Sequence, residues 1–409
     1  MVLLKALSLT FLLGVVVQQA ASAPGSSRYT TLATYNTGLV FGTIGNVDAR
    51  LSVLIDQMIQ SDVDIFCLQE AWTADVQRKI RRDLKPFYPY AQSAIDLDTE
   101  PSDTTTPSCQ QGSVDATFDC RALNCAGLSG PAFGVCGTLR CTEEFTRLAE
   151  ACSSCLILEL NSRNETDCLT IPASNFEKTY GLMLLSKKEL LNPTADPFNN
   201  HSLLRGYLTA SVSGVGDLIC THLSTPLAPP PLYVGPPVVV PFLYSSYAEQ
   251  HRDEVMTLFD VIKNSGIQVP ILLGDFNHGP ARTGGVVAEF PFYYGLMNAR
   301  GFVSPYVLKD GRCTFCIDNP LTGGLFPSTI IDHIYITTDT TERVIYAKRL
   351  LDKVFPSIGI SPSDHYGVKV CLSNIRQNCN FIQKCRFHCT SEIKEFSPFL
   401  PDFSDVCFD

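Results

Sequence analysis

Apolar and polar positions change period several times along this chain, and each change predicts an element. Thr31 to Tyr35 is a short strand-like run that stops at Asn36. From Val47 to Gln60 the apolar residues Leu51, Leu54, Ile55 and Met58 recur at helical spacing. Val63 to Leu68 is a continuous apolar run, as in a strand buried on both faces, and it ends at Gln69-Glu70. Ala74 to Leu84 predicts a second helix, closed off by Pro86. The chain therefore opens strand, helix, strand, helix.

Between about residues 95 and 178 this pattern breaks. Asp, Thr, Pro, Ser and Gly dominate, and eight cysteines fall here: Cys109, Cys120, Cys125, Cys136, Cys141, Cys152, Cys155 and Cys168. The stretch reads as a disulfide-stapled insertion, with local helix expected at Thr142 to Ala151 and Leu156 to Leu160. The core pattern resumes with a strand at Tyr180 to Ser186. A hairpin follows, Tyr207 to Val212 with Val215 to Cys220, turning at Ser213-Gly214 and running into Thr221-His222. Ser246 to Asn264 predicts an amphipathic helix with Val255, Leu258, Phe259 and Ile262 on one face. Val269 to Leu273, Ile330 to Ile336 and Tyr366 to Cys371 complete the expected strands.

The chain has 409 residues and 17 cysteines, and its two ends change the picture further. Met1 to Lys5 is a short basic start, Ala6 to Val17 is apolar, and Ala21-Ser22-Ala23 fits a small-residue cleavage site. This predicts a secretory leader over 1–23, whose apolar part is short for a membrane span. No other stretch is apolar enough to cross a bilayer. The expected divisions are 1–23 leader, 24–372 catalytic domain with its insertion, and 373–409 a cysteine-rich tail. A secreted, extracellular protein keeps disulfides, so pairing is favoured over zinc at Cys152-x-x-Cys155 and Cys313-x-x-Cys316. Cys67, alone in an apolar strand, is the candidate for the odd free thiol. Asn164-Glu165-Thr166 and Asn200-His201-Ser202 are glycosylation acceptors. The formal charge of −10 becomes −11 once Lys5 leaves with the leader. That balance, without a Lys/Arg stripe, disfavours tight polyanion binding.

The candidate chemistry lies where apolar runs end. Asn36, Glu70, Asp275, Asn277 and Asp364 are hard oxygen donors of the kind magnesium prefers. His222 and His365 titrate near neutrality and suit proton transfer. Asp332 could orient an imidazole. His333 reads as structural, and His201, His251, His278 and His388 as surface or helix residues.

In order, the motifs Thr34-Tyr35-Asn36, Leu68-Gln69-Glu70, Thr221-His222-Leu223, Gly274-Asp275-Phe276-Asn277, Ile331-Asp332-His333 and Ser363-Asp364-His365 resemble those of the endonuclease/exonuclease/phosphatase superfamily, which includes deoxyribonuclease I and neutral sphingomyelinases. The resemblance spans roughly Tyr29 to Leu372. It implies a four-layer α/β sandwich, two packed mixed sheets flanked by helices, with the site at one edge. It implies that Asn36 and Glu70 hold magnesium (manganese or calcium being alternatives) and that Asp364 completes the metal and phosphate environment. It further implies that Asp275 and Asn277 contact phosphate and attacking water, that His365 is the general base oriented by Asp332, and that His222 stabilises the transition state or protonates the leaving group.

For the substrate, the Pro-rich loop from Pro226 to Phe242 tips the expectation. It carries Leu232, Tyr233, Val234, Val238, Val239, Val240 and Phe242 just after His222. A stiff apolar loop beside a phosphodiesterase cleft suits peripheral contact with a membrane. A phospholipid headgroup is thus favoured over nucleic acid, as in a sphingomyelinase. A deoxyribonuclease I-like secreted endonuclease is the first alternative, and a non-catalytic extracellular binding or matrix protein on the same scaffold is the second.

Overall fold

The computed structural model describes residues 28–375, apart from 41–43, 45, 98–104, 129–132, 134–135, 138–139, 159–164, 199–204, 226–243 and 325. The expected leader, the apolar loop 226–242, nearly all of the tail, both glycosylation asparagines, His201 and His388 lie outside the described residues.

Among the described residues, twelve strands form two six-stranded sheets. The first holds β1 (Tyr29–Asn36), β2 (Ile65–Gln69), β3 (Tyr90–Gln92), β4 (Met183–Ser186), β11 (Val344–Leu350) and β12 (Gly367–Ser373), in the order β11-β12-β1-β2-β4-β3. The second holds β5 (Leu191–Pro197), β6 (Gly206–Val212), β7 (Gly216–His222), β8 (Pro270–Asp275), β9 (Phe302–Val303) and β10 (Asp332–Thr337), in the order β5-β6-β7-β8-β10-β9.

The period-2 geometry of a strand sorts side chains into layers. In β2, Ile65 and Cys67 join a core shared with Leu218, Cys220, Ile271, Leu273 and Ile334 of the second sheet. Phe66 and Leu68 point the other way, onto Leu51, Leu54 and Met58 of α1 (Val47–Gln60) and Ile80 of α2 (Ala74–Leu84). On the far face of the second sheet, Ile219, Leu272 and Tyr335 pack on Val255 and Leu258 of the helix Tyr247–Asn264. The order helix, sheet, sheet, helix is the expected four-layer α/β sandwich. Thr73 caps α2, its hydroxyl accepting from the Val76 N–H.

Cys67 is not free. It forms a disulfide with Cys220 of β7, across the inner core. Both cysteines point inward from facing sheets, which sequence alone could not bring together. The free thiol among the described residues is the buried Cys371. The eight cysteines of the insertion pair among themselves: Cys109–Cys152, Cys120–Cys141, Cys125–Cys136 and Cys155–Cys168. Among its described helices, Thr142–Thr146 and Glu150–Leu158 are shifted from the expected spans, and Asp115–Asn124 was not expected. Trp72, just after Glu70, is buried within the insertion's apolar cluster and joins it to the sheets.

Candidate active site

β1 ends at Asn36, β2 at Gln69 with Glu70 next, β7 at His222 and β8 at Asp275, while β10 begins at Asp332. The pairs β1–β2 and β7–β8 are parallel, so four strands deliver their C-terminal ends to one rim. β10 runs antiparallel to β8 and β12 antiparallel to β1, so these two deliver their starts to it. In the second sheet the register sets His222 opposite Asp275, and Asp275 opposite Asp332. A glycine before Asp275 is a packing requirement, because a Cβ on Gly274 would lie 2.2 Å from the Thr221 carbonyl oxygen.

Two rim residues adopt left-handed backbone, Glu70 at φ 59° and Asn277 at φ 47°. Asparagine tolerates this region, whereas at Glu70 it costs about 1 kcal/mol. Such strain is found where a side chain must be aimed. The Asn36 amide donates to Glu70 Oε1 at 3.1 Å and to Asp275 Oδ2 at 2.9 Å, joining the two sheets. Its Oδ1 accepts the Gly38 N–H at 3.0 Å. Asp364 lies close by, its Oδ1 only 2.5 Å from where a Cβ on Gly38 would stand. Ser363 Oγ holds this corner, donating to the Asn36 carbonyl at 2.8 Å.

His365 Nδ1 lies 2.9 Å from Asp332 Oδ2. Its Nε2 faces the Asn36 amide at 3.5 Å and Asp275 Oδ2 at 3.9 Å. His222 Nε2 is 3.4 Å from the same Asp275 oxygen. The Asn277 amide donates to the Leu223 carbonyl at 2.9 Å, and its N–H donates to Asp275 Oδ1 at 2.9 Å. The expected residues His222, Asp275, Asn277, Asp332, His365, Asn36, Glu70 and Asp364 are therefore gathered at one rim. Electrostatics separates their states. Burial pushes the Asp275 carboxyl up, but His222, His365 and the Asn36 amide together hold it well below the usual carboxylate range. Burial and the Arg205 charge lower His222 against the pull of Asp275. Burial also lowers His365, yet Asp332, Asp364 and Asp275 outweigh it and raise this imidazole well above its ordinary value.

The donor set fits a divalent cation. Ligand atoms of Asp275, Asp332 and His365 lie within 4.8 Å of one another, and Asp332 Oδ1 is buried with no hydrogen-bond partner. Asp332 and His365 are also bonded to each other, and Glu70, Asn36 and Asp364 bring further oxygen atoms to the same rim.

Three features were not expected. Arg205 is buried, donates from Nη1 to the Leu223 carbonyl at 2.8 Å, and stands 5.5 Å over the Trp72 ring. Trp72 in turn is 5.9 Å from His222. The hairpin register was the available signal, since it brings the start of β6 beside His222. His278 is neither on the surface nor in a helix, and His251, although helical, is fully buried. The two rings meet at 2.9 Å. The helical spacing of Val255 and Leu258 does bring His251 inward, four residues before Val255.

Fold and site together define a metal-dependent phosphoric diester hydrolase. The profile of the Endonuclease/Exonuclease/phosphatase family matches residues 33–365, and the chain belongs to that family. Solved structures similar to it include truncated TDP2 from Caenorhabditis elegans, at 12% identity and TM-score 0.48, covering 84% of this chain and 98% of that one. SmcL, at 13% identity and TM-score 0.48, covers 86% and 100%. Sphingomyelinase C from Streptomyces griseocarneus, at 12% identity and TM-score 0.47, also covers 86% and 100%. No curated protein matches the chain.

Proposed function

We propose that this chain is a secreted, magnesium-dependent phosphodiesterase that hydrolyses the headgroup phosphodiester of a choline-type phospholipid such as sphingomyelin. One observation carries the reading: at His365 a proton-transfer pair and an apolar surface meet. His365 Nδ1 lies against Asp332 Oδ2, so in the neutral ring an Nδ1–H donated to Asp332 turns the Nε2 lone pair toward the rim. The ring itself lies 4.9 Å from Phe315, which lies 5.8 Å from the half-exposed Phe326. Ile317 is also half-exposed. Such a lip suits a substrate presented by a lipid surface better than a hydrated polyanion. The net charge of −10 favours the same choice, and the six disulfides among the described residues agree with secretion.

In this reading Glu70, Asn36 and Asp364 hold the metal, which when bound polarises a phosphoryl oxygen. His365 Nε2 takes a proton from the attacking water, and Asp332 holds the imidazole and offsets its charge. Asp275 and Asn277 position water and phosphate. His222, kept neutral by burial, donates a hydrogen bond to charge developing on the phosphoryl group.

The test is phosphocholine release from sphingomyelin vesicles, run beside plasmid nicking, each with magnesium and with EDTA. Magnesium-dependent release without nicking is expected. Nicking without release would replace the lipid reading by a secreted endonuclease. Silence in both would leave another phosphodiester or phosphomonoester as substrate, or a binding or matrix protein on this scaffold.

A further inference from the structure

We infer that the disulfide loop Cys313–Cys316 is the element that sets the geometry of the His365–Asp332 pair, with Thr314 and Phe315 as its positioning residues. This rests on the proposed role of that pair.

The two partners belong to different sheets. Asp332 begins β10 of the second sheet, and His365 precedes β12 of the first. Nothing in either sheet's own ladder sets the 2.9 Å between them. Thr314 spans that gap. Its Oγ1 accepts the N–H groups of Ile331 at 3.1 Å and Asp332 at 3.2 Å, which anchors the start of β10. Its carbonyl accepts the N–H of Tyr366, the residue after His365, at 2.7 Å. One residue thus grips the backbone on both sides of the pair. Phe315 adds a second grip. Its backbone exchanges hydrogen bonds with Thr329, at 3.2 and 2.8 Å, and its ring packs against the His365 imidazole.

The loop is held from behind. The Cys313–Cys316 bond closes a four-residue ring around Thr314 and Phe315. Arg349 of β11 donates from Nη1 to the Cys313 carbonyl at 3.1 Å. Thr322 Oγ1 donates to the Cys316 carbonyl at 3.0 Å. Few backbone states remain open to Thr314 under these restraints, so its hydroxyl and carbonyl stay where the pair needs them. Neither Thr314 nor Phe315 is asked to touch a reacting atom. They act through His365 and Asp332.

The experiment compares Thr314→Val, Thr314→Ser, Phe315→Ala and the double variant Cys313→Ser/Cys316→Ser. Hydrolysis of bis(4-nitrophenyl) phosphate with magnesium gives kcat and KM, and thermal melting reports folding. Thr314→Val keeps the shape and removes the acceptor. It should lower kcat by about 10- to 100-fold with KM little changed, and Thr314→Ser should restore most of the loss. Phe315→Ala and the double serine variant should each lose about tenfold in kcat. A second readout needs no turnover: the low-field proton resonance of the His365 Nδ1–H should be sharp in the unaltered protein and in Thr314→Ser, and broadened in Thr314→Val. An unaltered kcat and resonance in Thr314→Val would overturn the inference. So would a kcat loss that only follows the unfolded fraction. If the unaltered protein hydrolyses no phosphodiester, the functional reading fails by itself, and the resonance alone decides on the loop.

Discussion

The five histidines among the described residues, all buried, fall into two groups, and the contrast shows what burial does and does not decide. His222 and His365 face carboxylates, Asp275 and Asp332. His251, His278 and His333 face carbonyls, hydroxyls and one another. His251 pairs with the Ser224 carbonyl at 3.1 Å and with His278 at 2.9 Å. His278 reaches the Tyr335 hydroxyl at 3.1 Å, and His333 pairs with the His278 carbonyl at 2.8 Å and the Ser304 hydroxyl at 3.1 Å. Burial pushes His251 and His333 down to about 4 and, aided by the neighbouring imidazoles, lowers His278 well below its ordinary value. The same burial acts on His365, but three carboxylates reverse its direction. At His365 the charge of the partners outweighs depth, whereas at His222, although it faces Asp275, burial and the Arg205 charge prevail.

The largest test of this contrast is at the rim. His365→Ala should cost about 1,000-fold in kcat/KM, the scale of a lost general base, and Asp332→Asn a comparable amount by favouring the wrong tautomer. His251→Gln should act mainly through stability. If His251→Gln matched His365→Ala in lost activity while melting at the unaltered temperature, the two groups would not be distinct.

Acid stability sharpens the comparison. The folded chain holds His251 and His333 near 4, while an unfolded histidine titrates near 6.5. Between those values the unfolded chain binds more protons. The neutral rings therefore contribute their full stability above about pH 6.5, and it is lost as pH falls toward 4. Each shift corresponds to about 3 kcal/mol. His365 has the opposite sign: its raised value stabilises below about pH 6.5, and that part is lost as pH rises through the folded value. Melting temperatures from pH 4 to 8 should fall on the acid side, and His251→Gln should flatten that fall. An unchanged acid slope would assign it elsewhere.

The smallest effect is expected at Gly38→Ala. The site has φ +55°, and a Cβ would meet Asp364 Oδ1 at 2.5 Å. A loss of about 1 kcal/mol in stability, with a few-fold drop in kcat as Asp364 is displaced, is checked by melting and by turnover. Unaltered turnover would remove Asp364 from the site.

Local pattern carried much of the architecture. The spans of α1 and α2 coincide with those read from apolar spacing, because each helix buries one stripe against the first sheet. The strands ending at Asn36, Gln69 and Asp275 were legible because each is buried on both faces, the last two reading as apolar runs and the first as a short run rich in Thr, Leu, Ala and Tyr. Edge strands were not legible. β5 is mostly exposed and carries two prolines, β9 spans two residues, and β11 alternates irregularly around a bulge.

The sequence by itself determined the elements, the order of the motifs and the identity of the polar residues that close each apolar run. Hydrophobic period is local, so one chain segment suffices to read it. Tertiary structure decided which of those residues share a rim, that Cys67 meets Cys220, that Arg205 and Trp72 stand beside His222, and that Thr314 ties Asp332 to His365. These contacts depend on strand register and on two sheets facing each other, and both are set by packing between segments far apart in the chain.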